Sequence, residues 1–122
     1  MKGLIIKPKW ADLILSGEKT WEIRGSQTNQ RGRIGIIKSG TGKIFGSVEL
    51  VDCIPLHGPD DVDVIICNQD KHHVPLGGIM YRKPYAWVLS QPLIYQEPVG
   101  YQHPQGAVIW VNLGINGESP LK

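Results

Sequence analysis

Short apolar runs separated by glycine and proline mark out the first half of the chain. Residues 4–6 (LII) predict a strand, and Pro8 then opens a helix because proline is favoured at the first helical position. Gly17 ends this helix in the position where glycine is common. The predicted helix spans about residues 8–16, and three apolar side chains recur in it at helical spacing. We expect these three to pack on a sheet: Trp10, Leu13 and Ile14.

Residues 19–24 alternate in the way a strand does, because successive side chains of a strand point to opposite faces. Trp21 and Ile23 share one face of this predicted strand. The opposite face carries polar side chains: Thr20, Glu22 and Arg24. The polar stretch 25–32 follows as a loop.

The remaining apolar runs predict four further strands and one excursion. Residues 33–38 and 44–53 form a hairpin through the turn 40–42, which is Gly-Thr-Gly. The excursion at 57–75 contains a second predicted helix that begins after Asp60 and Asp61 and runs through Val62, Ile65 and Ile66. The last predicted strands are 85–89, extended over 93–95, and 106–111.

Five or six short strands, one helix after the first strand and one in a central excursion predict an α+β fold built on a small β-barrel. The length of 122 residues is that of one domain. We assign residues 1–113 to the domain and 114–122 to a C-terminal tail with tail-like composition.

Charge is distributed unevenly along the chain. Residues 1–50 carry nine Lys and Arg against four Asp and Glu, a net +5, and the rest carry four against seven, a net −3. One cationic face is a plausible consequence, with a mixed solvated surface as the alternative.

The two cysteines are Cys53 and Cys67, and both follow apolar residues, so we expect buried free thiols. The absence of a C-x-x-C motif favours a reducing compartment. With no apolar stretch of membrane-spanning length and no visible signal peptide, the expected location is the cytoplasm, with no membrane partner.

The motif G-x-K-x-x-E-x-R in residues 17–24 (GEKTWEIR) places two cations and one anion at the junction of the first helix and the next strand. Glu22 and Arg24 share a strand face and can form an ion pair lining a cleft. Lys19 is out of phase with them, so either the strand begins after Lys19 or its stem runs beside apolar surface. The motif predicts a recognition site; the alternative is an ion pair that orders the junction.

With this motif, the chain resembles the ASCH (activating signal cointegrator homology) domain of the PUA-like superfamily. Weaker matches follow the family in the same order along the chain, in residues 6–11 (IKPKWA), 31–34 (RGRI), 46–53 (GSVELVDC) and 106–110 (GAVIW). The resemblance implies a PUA-like β-barrel with a cleft in which the motif side chains face a ligand. PUA-like domains are mostly RNA binders, while some small relatives resemble hydrolases of acylated cytidine or ribonucleases.

The chain is therefore expected to bind RNA or a modified nucleotide through a basic cleft. Cations flank the motif, and aromatic rings can stack on bases. The expected contact residues are Lys7, Lys9, Lys19, Glu22, Arg24, Arg31, Arg33, Lys38, Tyr101 and His103. No cofactor is implied, and His72 and His73 lack metal-ligand spacing, so no metal is expected.

Two other functions stay open. A small hydrolase, acting on N4-acylcytidine or on RNA, would use Lys19 as base, with Glu22 and a possible nucleophile in Thr20. In the relatives that resemble acylcytidine hydrolases, a threonine stands where this chain has Glu22. A nearby carboxylate raises the pKa of a lysine, and burial lowers it. We expect the effect of Glu22 to be the larger one, so that Lys19 stays a charged ammonium. The third reading is a protein-interaction module, which would expose a contiguous apolar patch.

Overall fold

The computed structural model describes residues 1–114, so the tail predicted at 114–122 lies outside the described residues apart from Gly114. Six strands and three helices follow one another along the chain in this order: β1 (Lys2–Ile6), α1 (Pro8–Leu15), β2 (Trp21–Arg24), β3 (Gly32–Lys38), β4 (Lys43–Pro55), α2 (Asp61–Cys67), α3 (Gln69–His72), β5 (Tyr85–Gly100) and β6 (Trp110–Asn112). Within the described residues, no helix is long and apolar enough to cross a bilayer.

The six strands form one curled, half-barrel sheet in the order β2-β5-β4-β3-β1-β6. β1 and β3 are parallel, and every other neighbouring pair is antiparallel. The pairing of β4 with β5 shifts register at three places, and such bulges bend strands and increase their twist. The predicted α+β architecture is confirmed, as a half-barrel with its sheet edges at β2 and β6.

Helix α1 packs on the sheet, as its apolar spacing predicted. Its buried side chains are Ala11, Ile14 and Leu15, while Trp10 and Leu13 are half-buried. They join a core built from β1, β3, β4 and β5, including Leu4, Ile34, Ile36, Val48, Leu50, Trp87 and Leu89. The helix is therefore where the sequence predicted it, but its most buried stripe is rotated away from Trp10 and Leu13.

The second helix is also present, but two of the three apolar residues named for it are exposed. Val62 and Ile66 of α2 are exposed, and Val64 and Ile65 face the cluster around Trp21 instead. A helix of seven residues covers little surface, and α3 follows at once. The His72 ring of α3 bonds to Ile65 O and so ties the two short helices together.

Three other sequence predictions need correction. Neither cysteine is buried: Cys53 is half-buried, and Cys67 is exposed at the end of α2. The last strand does not span 106–111 but begins at Trp110. Gly106 adopts a φ of +81°, which starts a loop rather than an extended strand. The strand predicted at 19–24 begins at Trp21.

Candidate ligand-binding pocket

A cavity of about 610 Å³ opens between the sheet edge at β2, the start of α1 and the segment before β5. Its volume lies within the range of small-molecule sites. The lining residues come from five parts of the chain: Ile5, Lys7, Trp10, Lys19, Glu22, Ile23, Arg24, Ser39, Val74, Gly78, Ile79, Met80, Tyr81 and Val108. All three charged residues of the motif line this one cavity.

Lys19 occupies the short link between α1 and β2. Gly17, with a φ of +86°, turns the chain out of the helix, and Lys19 N donates to Leu13 O at 2.9 Å. The Lys19 side chain is only 1% exposed. Because β2 begins at Trp21, the strand starts after Lys19, the first of the two options that its phase left open.

The Lys19 ammonium is surrounded by backbone oxygens and one aromatic ring. Its Nζ donates to Trp21 O at 2.8 Å and to His72 O, and lies 4.7 Å from the centre of the Trp10 ring. A neutral amine has two hydrogens and an ammonium has three. Two carbonyl acceptors can therefore bind both hydrogens of the neutral form or two of the three hydrogens of the charged form. The site therefore accommodates both protonation states.

Burial lowers the pKa of Lys19 from 10.5 to about 8, because the charged form loses hydration. The Glu22 carboxylate opposes this shift, and the Arg24 guanidinium adds to it. The expectation that the carboxylate would outweigh burial is therefore wrong. Lys19 still stays mostly protonated at pH 7, because its pKa lies above that pH.

Glu22 and Arg24 form the ion pair that strand alternation predicted. Arg24 Nε donates to Glu22 Oε2 at 2.9 Å, and Glu22 is only 5% exposed. Arg24 Nη2 donates to Ile5 O at 2.9 Å and so links β2 to β1 across the open side of the sheet. The guanidinium lies 5.6 Å from the centre of the Trp87 ring, within the distance of a cation–π contact.

This arrangement leaves polar capacity directed at the cavity. Glu22 Oε1 lies 3.7 Å from Lys19 Nζ, beyond hydrogen-bond distance. Within residues 1–114, Arg24 Nη1 has no hydrogen-bond partner, and the ammonium of Lys19 has one hydrogen beyond its two carbonyl bonds. One acceptor and two donors are therefore available side by side.

A sequence model of the ASCH domain matches residues 4–98. The chain belongs to the ASCH domain family. The solved structures it resembles include the crystal structure of ASCH from Zymomonas mobilis, with a TM-score of 0.68 and 18% identity over 92% of this chain and 86% of that chain. Serine-to-alanine and tyrosine-to-phenylalanine variants of the same protein each align with a TM-score of 0.67 and 18% identity, over 92% of this chain and 87% and 88% of theirs. At this identity the likeness concerns the fold. A comparison with curated protein sequences gave no match.

The two lysines beside Pro8 lie at or near the pocket of this ASCH domain. Lys7 lines the pocket, and Lys9 is exposed with its Nζ 4.7 Å from the centre of the Trp10 ring. Lys7 caps α1 without a side-chain hydrogen bond. Lys7 is therefore part of the pocket wall, whereas Lys9 lies beside it, against Trp10.

The other predicted cations do not line the pocket. Arg31 donates to Thr28 O and Gln30 O and so holds its own loop. Arg33 pairs with Glu49 at 3.2 Å, and Lys38 pairs with Asp12 at 2.6 Å. These side chains are engaged in structural contacts, so the structure does not join them to the motif as one basic stripe.

Tyr101 and His103 are likewise outside the pocket lining. The Tyr101 hydroxyl bonds to His103 Nδ1 at 2.7 Å, and His103 Nε2 bonds to Ala107 O at 2.9 Å, which orders the loop before β6. Thr20 lines a separate cavity of about 220 Å³ on the other side of the Lys19 stem. Its hydroxyl is not brought into the cavity with Glu22 and Arg24.

Sequence reasoning missed part of the pocket wall. Trp10, expected to pack in the core, is half-buried and lines the cavity. The sequence signal that could have placed it at the pocket is its position two residues after Pro8, between Lys9 and the motif. Ile79, Met80 and Tyr81 also line it. Their signal was an apolar run between glycine and proline that fits neither helical nor strand spacing. Residues 1–114 contain no group of three or more His, Cys, Asp and Glu that could hold a metal ion.

Proposed function

We propose that this ASCH domain binds a nucleotide, free or as an unpaired RNA residue, with the base inside the pocket at Lys19, Glu22 and Arg24. The observation that carries the proposal is the cluster of three buried or half-buried charges with unused hydrogen-bonding capacity in a cavity of nucleoside size. Such groups are costly to bury, and a ligand that uses them repays that cost.

The polar groups match the edge of a base that carries an amine beside an acceptor. Glu22 Oε1 can accept from an exocyclic amine, as carboxylates do with cytosine N4. Arg24 Nη1 and the remaining Lys19 hydrogen can donate to the neighbouring ring nitrogen or carbonyl. Cytosine and adenine have this amine-acceptor edge, whereas uracil presents carbonyls and an imino group.

The pocket mouth supports a phosphate beside the base. Lys7 lines the wall and Lys9 is exposed at the start of α1, where the first backbone amides of a helix lack intrahelical partners. A single base is favoured over a strand bound along a long groove, because Arg31, Arg33 and Lys38 are engaged in contacts outside the pocket. We therefore take a single nucleotide unit as the recognised element.

Isothermal titration with cytidine, uridine and their 5′-monophosphates tests the proposal. We expect the cytidine compounds to bind better, and Glu22→Gln to weaken their binding about tenfold, since a charged hydrogen bond contributes about 1.5–3 kcal/mol. Glu49→Gln, which removes a carboxylate paired with Arg33 outside the pocket, is the matched control. Equal losses in both variants, or no binding by the wild type, would contradict the proposal.

A hydrolase of acylated nucleosides is the second candidate, and the pKa of about 8 for Lys19 favours it, because a base works best near the operating pH. Thr20 faces the other cavity, so water activated by Lys19 is the chemistry that remains. Incubation with N4-acetylcytidine, with cytidine release followed by chromatography, separates the candidates. We expect no turnover; release that Lys19→Met abolishes in folded protein would favour the hydrolase.

The interaction-module reading has weaker support. Of the large exposed apolar side chains, Met80, Tyr81 and Val108 belong to the pocket lining, and the others come from several further elements and loops: Val51, Val62, Ile66, Leu76, Leu93, Ile94 and Ile109. The pocket collects buried charges at one place, which a docking surface does not require. Ligand binding therefore explains more of the structure.

A further inference from the structure

Residues 75–83, which we call the strap, cross from α3 towards β5 and form one wall of the pocket. The strap is held at both ends. Val74 N donates to His72 Nδ1 at 2.9 Å before it, and Leu56 N donates to Pro84 O at 2.9 Å after it. Between these points, the described residues show one backbone–backbone hydrogen bond, from Gly78 N to Pro75 O. It joins two residues of the strap and does not attach the strap to the rest of the domain. Side-chain contacts must therefore set the position of the strap.

Two side chains make those contacts. Ile79 packs on the apolar cluster that contains Trp21 and Ile23. Tyr81 lies directly against the backbone of Gly25, the residue that follows Arg24 of the motif: a Cβ atom at Gly25 would be 2.6 Å from Tyr81 Cδ1 and 3.2 Å from its Cε1 and Cγ. Side chains are not found that close, so the ring occupies this place because residue 25 is glycine.

The Tyr81 ring is thus held beside the motif while remaining accessible. It lines the pocket and is 48% exposed, which leaves ring surface free after the contact with Gly25. The polar groups of Glu22 and Arg24 can bind only the edge of a base, so the flat face of the base needs a separate partner. Aromatic side chains supply such a face at little entropic cost.

We infer that Tyr81 contacts the ligand directly, stacking on its planar ring, and that Gly25 holds Tyr81 in the position from which it does so. The inference rests on the proposed function and adds to it the residue that recognises the flat face of the ligand. It also makes Gly25 a positioning residue. The strap and the motif are then two parts of one site: the strap contacts the flat face of the base, and the motif binds its polar edge.

Four variants titrated with cytidine 5′-monophosphate test this. Tyr81→Ala is expected to weaken binding about tenfold, as loss of one base-aromatic stack does, and Tyr81→Phe to stay within about twofold. Gly25→Ala is expected to resemble Tyr81→Ala, because the added methyl displaces the ring. Gly25 has no positive φ, so its backbone accepts alanine. The matched control is Gly100→Ala, where a Cβ meets nothing within 4 Å.

Trypsin cleavage after the exposed Arg82 reports on the strap without requiring a ligand. Gly25→Ala is expected to speed appearance of the fragment 1–82 several-fold over Gly100→Ala, and cytidine 5′-monophosphate to slow it in the wild type. Binding by the wild type that Tyr81→Ala and Gly25→Ala leave unchanged would overturn this inference alone. Absence of nucleotide binding by the wild type would overturn the proposed function as well.

Discussion

At the scale of single residues, Lys19 is where burial and local charge compete most directly. The ammonium is almost fully removed from water, and its nearest carboxylate oxygen is 3.7 Å away, too far for a hydrogen bond. Desolvation therefore has the larger effect and brings the pKa to about 8. The domain keeps a cation that is costly to bury at the centre of its pocket, which fits a binding group better than a structural one.

The depressed pKa predicts that the domain becomes more stable as pH rises. Between pH 8 and 10.5 the unfolded state binds more protons at this lysine than the folded state, so the free energy of unfolding increases with pH. We expect a gain of about 2 kcal/mol from pH 7 to 9.5, at about 1.4 kcal/mol for each pH unit above the folded pKa. Urea denaturation at both pH values measures it.

Lys19→Met is the control for this prediction, because it keeps an apolar stem beside Trp10 and removes the titrating group. The rise with pH should disappear in that variant. Burial also raises the pKa of Tyr95 and of Tyr101, so these phenols ionise first in the unfolded state and lower stability above about pH 10. Measurements at or below pH 9.5 avoid that effect. A wild type whose stability is flat from pH 7 to 9.5 would contradict the burial of a charged Lys19.

At the scale of elements, α1 and the long strands β4 and β5 come into close contact at one glycine. β5 bends at Gln91, which has a φ of 51° and precedes Pro92. Opposite this bend, Gly46 of β4 approaches both the partner strand and the helix. A Cβ there would lie 2.3 Å from Leu93 O and 2.7 Å from Leu15 Cδ2. The absence of a side chain is therefore what allows helix and bent strand to meet.

Gly46→Ala is expected to destabilise the domain by about 3 kcal/mol, or to prevent folding. The clash is with a backbone oxygen of a paired strand, which cannot move without breaking the pairing, and overpacking commonly costs about 1–3 kcal/mol. Urea denaturation and thermal melting measure the loss. Gly100→Ala serves again as control, since its Cβ points into open space. Equal stability of the two variants would show that β4 and β5 can separate there at little cost.

At the scale of the whole molecule, the basic first half of the chain does not produce one continuous cationic face around the pocket. Arg33 and Lys38 are paired with carboxylates, and Arg31 binds its own loop, while Lys7 lines the pocket. The net charge counted along residues 1–50 is therefore larger than the positive charge that a ligand in the pocket would meet. Pairing in three dimensions decides which cations remain available.

We therefore predict that Lys7 and Lys9, but not Arg31 and Arg33, contribute to phosphate binding. Lys7→Ala combined with Lys9→Ala should weaken binding of cytidine 5′-monophosphate about three- to fivefold, as expected for exposed charge pairs, and leave cytidine unaffected. Raising salt from 50 to 200 mM should reduce the wild-type preference for the phosphate, because screening shortens the reach of exposed charges. Isothermal titration supplies both measurements.

The double variant Arg31→Ala with Arg33→Ala is the matched control, since it removes the same charge away from the pocket. If this control loses phosphate affinity as much as the lysine variant does, the anion lies on the sheet surface rather than at the pocket mouth. In that case the continuous basic face expected from the charge distribution would describe the protein better.

The sequence by itself determined those features that depend on near neighbours in the chain. Proline at the start and glycine at the end fixed α1, and strand alternation placed Glu22 and Arg24 on one face, where they form their ion pair. The motif and its collinear matches identified the family before any contact was known. Periodicity is weaker in short elements: the sequence predicted α2, but it did not tell which of the apolar residues of α2 are exposed.

Only the tertiary structure decided which distant groups meet. Lys19 donates to the carbonyl of His72, 53 positions further along the chain, and Tyr81 packs on Gly25. The tertiary structure also places Thr20 in another cavity and pairs Arg33 with Glu49. Local patterns give the faces of one element, whereas these contacts depend on strand order and on the path of the strap. The strap is fixed by side-chain packing and has no periodic signal of its own, so the sequence could not predict the wall that it forms.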